Sequence, residues 1–157
     1  MKLFLLFFSM LAMLPAYGKD NMTFTGTLIE PPPCSIDDGN KLRPVQFGKV
    51  GVNKVNGINY QQPIDYSINC VDISGWTLTL KLTTGTPATF LDGTIQTDVP
   101  GLGIQITIND KPMELSKNFV INPSNLPKLK AVPVKDAGAV LTEGTFSATA
   151  TLLALYQ

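Results

Sequence analysis

The side chains able to do chemistry are few, and the commonest general base is missing: the sequence contains no histidine. That removes the residue most often used for proton transfer near neutrality and for metal ligation. Cys34 and Cys70 offer either a disulfide or two thiols. A metal or redox site is poorly supported, because no histidine and no C-x-x-C accompanies them. Asp37-Asp38 is a carboxylate pair inside the turn-like run Asp37-Asp38-Gly39-Asn40. It reads as a solvated turn, with a weak cation site as the alternative. Gly101-Leu102-Gly103 lacks the third glycine of a phosphate loop and falls inside an alternating run, and no G-x-S-x-G occurs. Trp76 offers a flat ring for stacking a sugar, but it alternates with Leu78, Leu80 and Leu82, which assigns it to a core face. The expectation is a protein that is not an enzyme, with no cofactor, no metal and no small-molecule substrate.

The elements that hold these residues begin with a segment that leaves. Lys2 supplies a positive charge, Leu3 to Leu14 is a nearly unbroken apolar run, and Pro15 ends it. Ala16-Tyr17-Gly18 places small residues where a signal peptidase reads. Residues 1–18 are read as a secretory signal removed before Lys19. The alternative, a membrane anchor, needs roughly 20 apolar residues. Export to an oxidising compartment makes a Cys34–Cys70 disulfide the natural pairing, stabilising by roughly 3–4 kcal/mol on a chain-entropy model. Twelve basic residues balance twelve acidic ones. With no basic stretch, nucleic acid is not expected as a partner.

Beyond the signal the chain reads as strands and turns, an all-β sandwich in one domain. Trp76 to Leu82 and Leu102 to Ile108 alternate with period two, the second ending in the turn Asn109-Asp110. Val45 and Phe47 predict a short strand, and Ile64, Tyr66, Ile68 and Cys70 another with the cysteine inward. Leu129 to Val134 predicts a strand that Pro133 should confine to a sheet edge.

The two ends carry the most information. Gly144, Phe146, Ala148, Ala150, Leu152, Ala154 and Tyr156 fall on one face of a strand predicted from Gly144 to Gln157. Alone, it could be any last core strand. Near the other end Met22, Phe24, Gly26 and Leu28 alternate with polar residues, and Gly26 stands where a large side chain is expected. Pro31-Pro32-Pro33 then detaches this arm from the domain that starts at Cys34.

These features together resemble a pilin of the chaperone–usher pathway: the signal, the arm with its glycine, the cysteine pair near the mature start, Gly144 with alternating apolar residues after it, and the penultimate aromatic Tyr156. The resemblance implies an incomplete immunoglobulin-like β-sandwich lacking its final strand, with an N-terminal donor-strand extension. Residues 1–18 would be the signal peptide, 19–33 the donor arm and proline spacer, and 34–157 the pilin domain. It implies a structural subunit of a fimbrium on the bacterial cell surface, exported through the periplasm and serving cell adhesion. Its partners would be a periplasmic chaperone, an outer-membrane usher and neighbouring pilin subunits.

By the same resemblance, Met22, Phe24, Gly26 and Leu28 would enter a neighbour's groove. Gly144, Phe146, Ala148, Ala150, Leu152, Ala154 and Tyr156 would meet the chaperone and line the chain's own groove, with the Gln157 carboxylate anchored by the chaperone. Composition, with its twelve prolines, favours a minor or adaptor subunit over the main rod. A fibre terminator and a carbohydrate-binding tip lectin are the alternatives. Leu153 and Leu155 depart from the alternation and have no assigned role.

Overall fold

The computed structural model describes residues 22–37 and 44–157. Met1–Glu30 and Pro31–Gln157 form separate units. In the first, the described residues 22–30 form no strand, and Met22, Phe24 and Leu28 are exposed. The strand expected there is unformed because an isolated strand has no partner to satisfy its backbone. The signal and Lys19–Asn21 lie outside the described residues.

In the second unit the strands, in chain order, are β1 (Cys34–Ile36), β2 (Gln62–Ile64), β3 (Ile68–Cys70), β4 (Leu78–Thr83), β5 (Thr94–Gln96), β6 (Leu102–Ile108), β7 (Lys111–Pro112), β8 (Asn118–Val120), β9 (Leu129–Lys135) and β10 (Thr151–Tyr156). One sheet has the order β2-β9-β6-β5, with β7 folded onto the end of β6. A second has the order β10-β4-β8, and β1 pairs with β3. All the ladders are antiparallel. The core lies between the two larger sheets: Leu78, Leu80 and Leu82 of β4 meet Ile104 and Ile106 of β6 and Leu129 and Ala131 of β9. Leu80 is wholly buried, and each such side chain contributes roughly 1.5–3 kcal/mol.

Alternation in β6 arises as expected, and Asn109 and Asp110 both take positive φ, 49° and 64°. That is the backbone of a two-residue hairpin turn. Gly103 in β6 is a packing glycine: a Cβ there would strike Thr94 Cγ2 and crowd Phe90. Elsewhere in the sandwich, Cys34 and Cys70 stand directly opposite in the β1–β3 ladder and are disulfide-bonded.

Several expectations are corrected. Val45 and Phe47 alternate in burial but join no ladder. The run from Ile64 to Cys70 is two strands: β2 pairs with β9 and β3 pairs with β1, so the chain changes sheets across Asp65–Ser67. Trp76 precedes β4 and is half-buried against Tyr156 rather than in the central core. β9 is an interior strand despite Pro133. The proline is tolerated because β2 pairs only with Leu129–Ala131, so beyond that point this side of β9 is locally an edge, and the Pro133 carbonyl accepts from Gly57 N–H at 3.2 Å. Asp37 is not solvated: it is 6% exposed, and its Oδ1 accepts from Ser67 N–H at 2.8 Å and Ser67 Oγ at 3.2 Å. Asp38 lies outside the described residues.

Candidate assembly groove

The C-terminal segment divides in two. From Thr151 to Tyr156 it pairs with β4, Leu152 opposite Leu82, Ala154 opposite Leu80 and Tyr156 opposite Leu78. Thr77 and Gln157 exchange both backbone bonds, 3.2 Å and 2.9 Å, carrying the ladder to the chain's last residue. Antiparallel pairs alternate between bonded and non-bonded. Counting back by twos from Gln157, the residues Leu155, Leu153 and Thr151 also turn their backbone groups toward β4. Those of Leu152, Ala154 and Tyr156 therefore point the other way. There, β10 is the end of its sheet. The same three residues turn their side chains onto the core cluster, where they are only half-buried. An edge whose backbone meets no ladder partner among the described residues, with half-covered apolar side chains beneath, is a place for one more strand.

Before Thr151 the segment is held without a ladder, which corrects the strand expected from Gly144. Asp98 and Ser147 clasp each other: Asp98 N–H donates to Ser147 O at 3.2 Å, Ser147 N–H to Asp98 Oδ1 at 2.8 Å, and Ser147 Oγ–H to Asp98 Oδ2 at 3.2 Å. The Ser147 N–H, first among these, holds the Asp98 carboxyl below the usual carboxylate range. Thr84 Oγ1–H adds a bond to Thr149 O at 2.9 Å. This clasp went unseen in the sequence, since Asp98-Val99-Pro100-Gly101 reads as any turn. Phe146 and Ala148 still reach the core cluster, while Gly144 and Ala150 are exposed, Gly144 in the lining of the cavity that opens beside Phe146.

Facing this wall are Ile36 of β1 and Val45 and Phe47, half-buried against the same cluster. The Phe47 and Phe146 rings stand 6.0 Å apart. Beside them opens a cavity of about 880 Å³ whose floor includes Val45, Phe47, Val55, Leu102 and Phe146. At the other end of the wall, Trp76 stands edge-on to Tyr156 at 5.6 Å. Leu153 is exposed at 37% on the outer face of β10, and Leu155 is half-buried there. Between β2 and β3, Tyr66 donates to Pro127 O at 2.8 Å, and burial pushes its phenol up to about 12.

The donor-arm residues are not part of this wall. A Cβ on Gly26 would meet nothing within 4 Å, so the arm's own surroundings do not require glycine there. Among the described residues no cluster of three or more His, Cys, Asp or Glu is placed to hold a metal.

A protein-family model described as "Fimbrial protein" matches residues 22–157. The chain belongs to the fimbrial protein family. This fimbrial subunit is 38% identical over 146 residues to the fimbrial-like protein YfcQ of Escherichia coli strain K12, covering 89% of each chain. It is 36% identical over 131 residues to YfcR of the same strain, covering 81% of this chain and 75% of that one. Its fold resembles the P pilus rod subunit PapA, with a TM-score of 0.64, 22% identity and coverage of 88% and 100%. It also resembles the P pilus adaptor subunit PapF, with a TM-score of 0.59, 23% identity and coverage of 82% and 98%. The open immunoglobulin-like sandwich expected from the sequence is the fold observed, and the subunit is a structural component of a fimbria.

Proposed function

We propose that the fimbrial subunit is completed from outside by a β-strand laid along β10, first lent by a periplasmic chaperone and then replaced by a neighbour's arm. The observation that carries this is the backbone of Leu152, Ala154 and Tyr156, which has no ladder partner on its outer side among the described residues, above side chains only half-covered. Strand addition supplies both missing components, main-chain bonds along the edge and alternate side chains for the core. Four apolar side chains entering the groove would contribute about 6–12 kcal/mol, comparable with the 5–15 kcal/mol by which whole domains are stable.

In this reading the chain is exported with residues 1–18 as signal. The Gln157 carboxylate is held by the chaperone, and an outer-membrane usher hands the subunit to the growing fibre. Met22, Phe24, Gly26 and Leu28 of the arm fill the groove of the next subunit. The exposure of those side chains, and the absence of any local need for glycine at position 26, support a role in a partner. The role of the finished fibre is adhesion.

The test is a pair of variants in cells carrying the whole assembly system. Gly26→Leu should leave periplasmic chaperone complexes at wild-type levels while stopping incorporation beyond this subunit. Removing Tyr156 and Gln157 should instead lower the periplasmic level first. Normal fibres from Gly26→Leu would sink the donor role of the arm.

A further inference from the structure

The sequence holds one Asn-Gly pair, Asn56-Gly57. After an asparagine, the next backbone nitrogen can attack the carboxamide carbon, and glycine leaves that approach open because it carries no Cβ. The pair lies in the loop from Gly51 to Tyr60, where Asn56 is exposed and Gly57 half-buried. At Gly57 the loop is docked on β9. Gly57 N–H donates to Pro133 O at 3.2 Å, and a Cβ added at Gly57 would stand 3.4 Å from Val134 Cγ1. Within the loop, Asn59 Nδ2–H donates to Lys54 O at 3.0 Å and Gly51 N–H donates to Tyr60 Oη at 3.1 Å. Tyr60 takes a φ of 64°, a region that non-glycine residues seldom enter, so these bonds close the loop against strain.

Both reacting groups are held while the loop is closed. The attacking nitrogen must give up its proton, and that proton is engaged by the Pro133 carbonyl. The carboxamide must turn toward the same nitrogen, and its Oδ1 is fixed by Ile58 N–H at 3.0 Å and Asn59 N–H at 2.8 Å. β2 pairs with Leu129–Ala131 and stops short of Pro133, so its ladder does not hold the docking point. Surface loops of this kind open locally far more often than the whole domain unfolds.

We propose that Asn56 is a deamidation site locked by the docking of this loop on β9. When the loop lifts, the Gly57 nitrogen loses its proton to hydroxide and bonds to Asn56 Cγ. The Cγ–Nδ2 bond breaks, and Nδ2 leaves as ammonia, giving a cyclic imide. One water then opens the ring. Cleavage between the Gly57 nitrogen and Cγ yields aspartate. Cleavage between that nitrogen and the Asn56 main-chain carbonyl carbon yields iso-aspartate, whose main chain runs through Cβ and Cγ. The sum is one water taken up and one ammonia released, with no change of oxidation state. Iso-aspartate adds a carbon to the main chain of the loop. The loop has no room to take it up toward β9, because Val134 already stands against Gly57. It bulges outward, and the Gly57–Pro133 bond is not remade. The modification is a one-way mark on subunits whose β9 edge has opened.

The experiment incubates the folded subunit, as isolated from cells, in mildly alkaline buffer beside the same chain in denaturant. Peptide mapping reads conversion at Asn56, and isoaspartyl methyltransferase labelling reads the iso-aspartate. The denatured chain should convert at Asn56 ahead of its other asparagines. The folded subunit should convert more slowly by on the order of a hundredfold, the effect of three hydrogen bonds of ordinary strength. Asn59→Ala and Tyr60→Phe each remove one bond that closes the loop. Each should speed conversion in the folded subunit by about threefold to tenfold and leave the denatured rate unchanged. Hydrogen exchange on the iso-aspartate form should show Gly57 N–H unprotected and Ile106 N–H unaltered. Asn56→Asp, which adds the charge without lengthening the main chain, should keep Gly57 N–H protected. A denatured chain that is stable at Asn56 overturns the site. Equal rates in folded and denatured chains, or a folded rate that neither loop variant changes, overturn the lock. Protection at Gly57 N–H that survives conversion to iso-aspartate overturns the lasting opening.

Discussion

The two large sheets of this subunit use the same alternating sequence pattern to different ends. In β6 and β9 every ladder position is paired, from Leu102 with Lys135 to Ile108 with Leu129, and Leu102, Ile104, Ile106, Leu129, Ala131, Val132 and Val134 are all buried. In β10 an apolar residue again stands at every second position, yet Leu152, Ala154 and Tyr156 stop at half-burial. The difference is in the neighbours. Among the described residues, β6 has strands on both sides and β10 has β4 on one side only. Apolar periodicity thus specifies a face to be covered, and topology decides whether the same chain covers it.

The largest test of that contrast is to supply the missing strand. Denaturant unfolding of the mature chain with and without a bound donor strand should differ by about 6–12 kcal/mol, with the unaided chain aggregating. Equal stability in both conditions would mean that the second sheet is as complete as the first. Next in size is a pair of truncations. Ile104→Ala, in the covered sheet, should cost about 2–5 kcal/mol whether or not a strand is bound. Leu152→Ala should cost clearly less than that in the unaided chain and approach the same range once the groove is filled. An equal cost for Leu152→Ala in both states would erase the distinction between the sheets.

A smaller effect concerns the clasp that substitutes for a ladder before β10. The folded-state pKa of Asp98 is depressed, so its contribution is present above the unfolded value of about 4 and is lost as the pH falls through the folded one. Melting temperatures of Asp98→Ala and wild type should differ at pH 6 and converge in acid below that window. Hydrogen exchange should locate the loosening at Ser147 N–H and leave Leu153 N–H unchanged. A uniform loss of protection along the whole segment would show that the clasp supports the entire wall.

How much of this was legible beforehand depends on what alternation encodes. It marked β4, β6 and the hairpin at Asn109-Asp110, where local pattern and final pairing agree. It also marked the apolar face of the C-terminal segment, and the resemblance at both ends named the fold. It could not report pairing. The run Ile64 to Cys70 kept one rhythm while the chain moved between sheets, and Val45 and Phe47 kept theirs without a ladder. Pro133 was a sound edge signal, misplaced because edges can be local to part of a strand. Asp37 looked like a turn carboxylate, and nothing in the local pattern singled out Asp98. Each is fastened to one serine distant in sequence, Ser67 and Ser147, by contacts that no short-range pattern announces.

The staple between Cys34 and Cys70 has a mechanical consequence. Cys34 comes immediately after Pro31–Pro33, and Val71 N–H donates to Pro33 O at 3.2 Å. With the arm gripped by a neighbour, as proposed, tension along a fibre would enter this domain through the spacer and arrive first at Cys34. A strand of three residues held only by ladder bonds would peel away one bond at a time. The covalent bridge passes that load to β3 at Cys34, so beyond the single Pro33–Val71 bond the pull is carried by two strands before any bond of the β1–β3 ladder is tested.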